Sequence, residues 1–242
     1  MAHSSRIVRS SLVVFGIGVV LGTSGLAQNL TPTTCPPNIT SIAGCPLTGC
    51  GGVADALLNQ LKNRTATPTT PTDVSVADIK SLAQPTDWTT GQPRDSLAAT
   101  EGWQVRVIAR LKTVKKEGHE TCNCELGPQV NTDVHLALVE RLADDESESI
   151  TAEMTPRGRA TGGHTHWIVS QLTTYQSKLL RVTGWVMLDT AHVHHSMLLP
   201  GENPIGPVNR ATDWEIHPIT TFEVCNSTIA HCRAAVGWKV IN

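Results

Sequence analysis

Aromatic residues are scarce in this chain: six Trp, two Phe and a single Tyr among 242 residues. A core must therefore be assembled mostly from Val, Leu, Ile and Ala. A stacking platform for single-stranded nucleic acid, which needs several exposed rings, has little to be built from. Long apolar runs are also missing. The run over residues 11–21 falls short of the roughly 20 residues that span a bilayer. The sequence contains no G-x-S-x-G, no Walker A loop, no H-E-x-x-H and no G-x-G-x-x-G, so none of these familiar catalytic or nucleotide-binding signatures accounts for it. Strong charge of one sign is absent as well, the net charge being −2. Residues 101–225 hold more Asp and Glu than Lys and Arg, which disfavours nonspecific nucleic-acid binding, since that requires a basic footprint.

What is present begins with an export signal. Arg6 and Arg9 form a positive n-region, residues 11–21 an apolar h-region, and Gly25-Leu26-Ala27 supplies small residues for cleavage. Residues 1–27 read as a signal peptide, and the mature chain is expected outside the cytoplasm (secreted, periplasmic or on the cell surface), with no membrane segment after cleavage. All seven cysteines, Cys35, Cys45, Cys50, Cys122, Cys124, Cys225 and Cys232, lie beyond that point. In an oxidising compartment disulfides are the default, and an odd count leaves one thiol over. Cys225 and Cys232 are near enough in sequence to bridge locally. Cys122-Asn123-Cys124 is a C-x-C, not the C-x-x-C of a zinc knuckle, so the thiols read as disulfide partners rather than zinc ligands.

The mature chain divides by pattern. Residues 28–100 are a Cys-, Pro- and Thr-rich extension, with helices expected over 53–62 and 74–82 from their apolar spacing. Residues 101–225 alternate apolar and polar in strand-like runs over 103–111, 133–140, 149–155, 179–188 and 213–224, with a helix expected over 167–175 after a Gly-rich turn. Residues 226–242 form a tail. Forty per cent hydrophobic composition supports a packed core. Trp103 and Trp185 are expected in the core or sealing the extension.

Three strands, a helix and two strands is the element order of the OB barrel, and residues 101–225 resemble that superfold, with Leu180-Arg181-Val182-Thr183-Gly184-Trp185 similar to its fourth strand. Thr132-Asp133-Val134-His135 together with Trp214-Glu215-Ile216-His217-Pro218 resembles a group of exported bacterial proteins of unknown function. This implies a mainly β, five-stranded OB-like closed barrel with a disulfide-stapled extension, and brings no activity with it. Another small sandwich or barrel is the competing fold.

The strand phases point to a candidate site. Asp133 and His135 share one face of the second strand, Glu215 and His217 one face of the fifth, and Glu153 has the same phase on the third. In OB topology the third strand lies between the other two, so these five side chains are expected to form one patch pointing away from the core. Two His and three carboxylates suit a divalent metal such as zinc or manganese, or acid–base work. An ordinary solvated sheet face is the plain alternative. Loop histidines His164, His166, His192, His194 and His195 are further candidates for a metal or polar ligand, or simply solvated side chains. Staphylococcal nuclease, an OB-type enzyme, uses carboxylates with arginines, and no arginine shares this strand face.

Three readings of function follow: an exported binding module for a small polar ligand, an oligosaccharide or a protein partner; a metal-dependent hydrolase using the strand patch; and, third, a single-stranded nucleic-acid binder.

Overall fold

The computed structural model describes residues 34–52, 55–85, 94–190 and 209–242. The expected signal peptide and His192, His194 and His195 lie outside the described residues. Seven strands join one sheet: β1 (Thr72–Val74), β2 (Gln104–Lys116), β3 (Val134–Val139), β4 (Ile150–Met154), β5 (Leu179–Leu188), β6 (Trp214–Cys225) and β7 (Trp238–Val240). Five of them close into a barrel in the order β2-β3-β4-β6-β5 and back to β2, with β4 and β6 parallel and the other pairs antiparallel. The expected mainly β, closed OB-like barrel is what the chain forms.

Closure depends on the length of β2. Its first half pairs with β5, from Gln104 opposite Trp185 to Arg110 opposite Leu179, and its second half pairs with β3. A register shift between Leu111 and Thr113 separates the two halves and lets one strand serve both ends of the sheet. The sequence pattern ends this strand at Leu111 because the extra residue breaks the alternation there. The strand in fact runs five residues further. At the other seam, β5 and β6 approach so closely that a Cβ built on Gly184 would lie 2.5 Å from the Pro218 carbonyl oxygen. Only glycine fits that crossing without displacement.

The alternate positions Val105, Val107, Ala109, Leu111, Val134, Leu136, Leu138, Ile150, Ala152, Met154, Ile216 and Phe222 fill the interior. Trp167 and Trp214 complete it, and each uses its indole N–H as a fastener. Trp167 donates to the Ile241 carbonyl at 2.7 Å and Trp214 to the Ala83 carbonyl at 2.9 Å. Trp185 donates likewise to the Ala66 carbonyl, which fits its expected sealing role, and Trp103 packs against the core.

Between β4 and β5 stand α3 (Pro156–Gly162) and α4 (Val169–Leu172), the latter continuing into a 3₁₀ turn over Thr173–Tyr175. The helix expected over 167–175 is thus shorter and preceded by a second one. Thr155 caps α3 through a bond from the Gly158 amide, Pro156 occupies its first turn, and Gly163 ends it in the left-handed region. Those cap signals are in the sequence, but α3 has almost no apolar stripe to announce it.

The extension is more than a wrapping. Its α2 (Val76–Lys80) buries Val76 and Ile79 in the barrel core, and β1 pairs in parallel with β2. Its α1 (Ala56–Lys62) lies over the other side of the barrel wall, near the 3₁₀ turn Thr121–Asn123 that follows β2. Disulfides Cys35–Cys50 and Cys45–Cys124 staple it, the second directly to the β2–β3 connection. Cys225–Cys232 bridges locally in the tail, and Cys122 alone is unpaired and buried. Three disulfides befit an oxidising compartment. Among the described residues no helix is long and apolar enough to cross a membrane.

Candidate metal centre

The five strand residues come together. β4 lies between β3 and β6, and His135 sits directly opposite Glu153 in register. His135 Nε2 touches Glu153 Oε1, while His135 Nδ1 is 2.8 Å from Glu117 Oε1. His217 Nδ1 lies 3.1 Å from Glu153 Oε2 and 3.0 Å from Glu215 Oε1. His217 Nε2 faces Asp133 Oδ2 at 3.7 Å. The side chains point away from the apolar core, as the alternation requires, yet they are not solvated. Asp133, Glu153, Glu215 and His217 have no exposed surface, and the His135 side chain retains 13%. The expectation of an open polar sheet face is therefore corrected: α1 and the β2–β3 connection roof the patch over.

The roof brings its own charges, which the strand pattern does not reveal. Lys62 at the end of α1 reaches Glu120 at 3.0 Å and Asp189 at 3.8 Å. Arg210, from the connection into β6, stands 3.6 Å from Asp189 and 3.3 Å from Glu215. No arginine lies on the strand face, but this one arrives from the loop. Asn123 donates to Asp133 Oδ1 at 3.1 Å. The contacts trace a closed circuit, from His217 through Glu215, Arg210, Asp189, Lys62, Glu120 and Asp133 back to His217. Charge alternates around it except at one step. Glu120 and Asp133 are two acids face to face, with carboxylate oxygens within 4.8 Å of each other.

This electrostatic arrangement sets the protonation states. Burial alone would lower the pKa of His217, but the carboxylates of Glu153 and Glu215 outweigh it and raise the group to about 10. His135 is likewise raised, burial being outweighed by Glu153 and Glu117. Burial would raise Glu153, yet the two imidazoles pull it well below the usual carboxylate range. Asp133 is pushed well upward by burial and by Glu120, and Glu215 to about 7 by burial, Glu153 and Asp189. Burial would lower Lys62, but Asp189 and Glu120 raise it.

Among the described residues, three sets of potential ligand atoms lie, within each set, no more than 4.8 Å apart: Glu120, Cys122 and Asp133; Asp133, Glu153 and His217; and Glu153, Asp189 and Glu215. Lys62 or Arg210 pairs with members of the first and third. The central set has no Lys or Arg partner within ion-pair distance among the described residues. It is also where polar atoms are orphaned: Asp133 Oδ2, both Glu153 carboxylate oxygens and His217 Nε2 are buried without a hydrogen bond of good geometry. Buried polar groups in that state are rare and call for a proton, a water or an ion.

The other sequence candidates divide. His164 stacks on Trp167 with ring centroids 3.7 Å apart, and it and His166 lie away from this centre. Of the cysteines, only Cys122 borders it.

No protein-family model and no curated protein matches the chain. Among solved structures, a chain named aspartyl-tRNA synthetase from Leishmania major aligns at a TM-score of 0.32 and 13% identity, over 69% of this chain and 23% of that one. The match thus spans under a quarter of the synthetase chain.

Proposed function

We propose that the chain is an exported OB-type binding module that holds one divalent cation in its wall, with Asp133, Glu153 and His217 as ligands. The observation that carries this reading is the central triad itself: three buried residues that each offer a ligand atom within 4.8 Å of the others and carry orphaned polar atoms, beside a circuit whose other acids are already paired. His135, anchored by Glu117, orients Glu153 from behind, as outer partners of metal-bound carboxylates do.

Charge balance supports it. With His217 neutral, one divalent ion together with Lys62, Arg210 and protonated His135 offsets all but one of the six carboxylates Glu117, Glu120, Asp133, Glu153, Asp189 and Glu215. A donor set of two carboxylates and one imidazole suits zinc or manganese. The ion's chemistry would be to cross-brace β3, β4 and β6 under the extension, leaving the outer surface for a polar ligand, an oligosaccharide or a protein partner. The hydrolase reading needs an open coordination position facing substrate, and the roofed triad gives it little support. Export rests on the n-region, apolar run and Gly25-Leu26-Ala27, on the resemblance to exported bacterial proteins, and on the three disulfides.

The test is calorimetric. Zinc or manganese titrated into chelator-stripped mature protein should bind at one site per chain, and Asp133→Asn should abolish that site. Saturable binding unaffected by Asp133→Asn would refute the assignment.

A further inference from the structure

A second concave site lies beside α3 and has different chemistry. The segment leaving α1 crosses the barrel beside the β6 bulge and encloses a cavity of about 270 Å³, large enough for a small ligand. Among the described residues its lining includes Arg64, Thr65 and Thr67 from the extension, Thr161 and His164 from the α3 region, and no Asp or Glu. In a chain with more acidic than basic residues, an acid-free pocket holding an arginine and a histidine is a marked departure.

Arg64 is the key group. Its guanidinium lies over the Trp185 ring at 5.0 Å, its Nε donates to the Leu61 carbonyl at 3.0 Å, and Nη2 makes a long contact of 3.5 Å with the His217 carbonyl. Nη1 has no acceptor, and no carboxylate stands within ion-pair distance among the described residues. Burial without a paired anion accordingly lowers the Arg64 pKa to about 10, against the more distant pull of Glu101. A guanidinium held in place by neutral groups, with an amino nitrogen unspent, is a preformed half of an anion site. His164 is the other half. It is pinned flat on Trp167 with its Nε2 beside Gly162, another residue of the lining, while its Nδ1 is buried near Asn242, which opposes the lowering of its pKa by burial.

We propose that this groove binds a tetrahedral oxyanion, free phosphate or the phosphate group of a small ester, with Arg64 and His164 as its principal donors and the threonine hydroxyls around it. The site takes none of the metal triad's side chains and meets it only where Arg64 Nη2 contacts the His217 carbonyl.

Two tryptophans report on it directly, Trp185 under Arg64 and Trp167 under His164. Inorganic phosphate titrated into the mature protein should change the Trp fluorescence saturably, and a neutral monosaccharide should not. Arg64→Lys keeps the charge but loses the fork, and His164→Gln keeps the size. Each should weaken phosphate roughly tenfold or more, with the melting temperature near that of the parent. Asp133→Asn should leave phosphate binding unchanged, which separates this site from phosphate captured by a metal. No saturable phosphate binding by the parent, or equal binding by Arg64→Lys and His164→Gln, overturns the proposal. So does binding that disappears with Asp133→Asn alone. If phosphate binds and a phosphorylated sugar binds more tightly in an Arg64-dependent way, the occupant is the ester rather than the free ion.

Discussion

His217 Nε2 and Asp133 Oδ2 lie 3.7 Å apart in the barrel wall, with no exposed surface on either residue and no well-formed hydrogen bond to either atom. Without a metal, protons must occupy this gap. The imidazole takes one because Glu153 and Glu215 flank it, and burial together with the nearby Glu120 pushes Asp133 toward its neutral form. With a metal, the ion takes the place of bound protons, and this exchange governs the behaviour expected of the protein.

Proton release follows first. Binding of one divalent ion at neutral pH should release at least one proton per chain, that of His217, together with any that Asp133 carries. Calorimetric titrations in buffers of different ionisation enthalpy measure that number, and a value near zero contradicts the ligand assignment.

Stability should respond to pH in a definite direction. The folded-state pKa of His217, about 10, lies above its ordinary 6.5, so its contribution is fully present below about pH 6.5 and is lost as pH rises through 10. Glu215, raised to about 7 from 4.5, adds a loss of the same sign between those values. Glu153, held low, contributes above its ordinary pKa and weakens the fold only as pH falls well into the acid range. Metal-stripped protein should therefore melt at progressively lower temperature from pH 7 to pH 10. A melting temperature that rises over that range would show that the imidazole is not held protonated.

Much of this was legible in the residues. The alternation of β3, β4 and β6 places Asp133, His135, Glu153, Glu215 and His217 on one face, and the structure joins them. Exposure was not legible, because alternation separates one sheet face from the other without saying what covers the second. Lys62 and Glu120 belong to segments with no strand phase. Arg210 comes from a loop, and only its spacing of five from Glu215 hints at a shared site. The tail strand β7 and helix α3 are too short, or too poor in apolar residues, for a periodic signal.

Because the patch is buried, mutation should be costly. His217→Ala leaves Glu153 with only His135 and Glu215 with only Arg210 as a buried partner, and should destabilise the protein by about 3–5 kcal/mol. That is well beyond the roughly 0.5 kcal/mol typical of an exposed sheet position. Chemical denaturation measures it, and a change within the smaller figure would mean the network is open to water.

The crossing of β5 and β6 gives an independent check on the barrel. Gly184→Ala sets a methyl against the Pro218 carbonyl and Ile216 and should cost on the order of 1–3 kcal/mol. A melting temperature equal to the parent's would indicate a looser seam.

Thiol chemistry tests the staples. Denatured, unreduced protein should titrate about one thiol per chain, and that thiol, Cys122, should be unreactive while the fold is intact. Breaking Cys45–Cys124 by paired serine substitution should cost about 2–4 kcal/mol and raise Cys122 reactivity by loosening the roof. Unchanged reactivity would mean the roof does not depend on that bridge.

The most direct test is elemental analysis of the mature protein, purified without a histidine tag and without chelator, beside His217→Gln. One equivalent of a divalent metal per chain in the parent, and none in folded His217→Gln, is the result expected. A parent that is metal-free and stays so after dialysis against zinc and manganese would contradict the central claim.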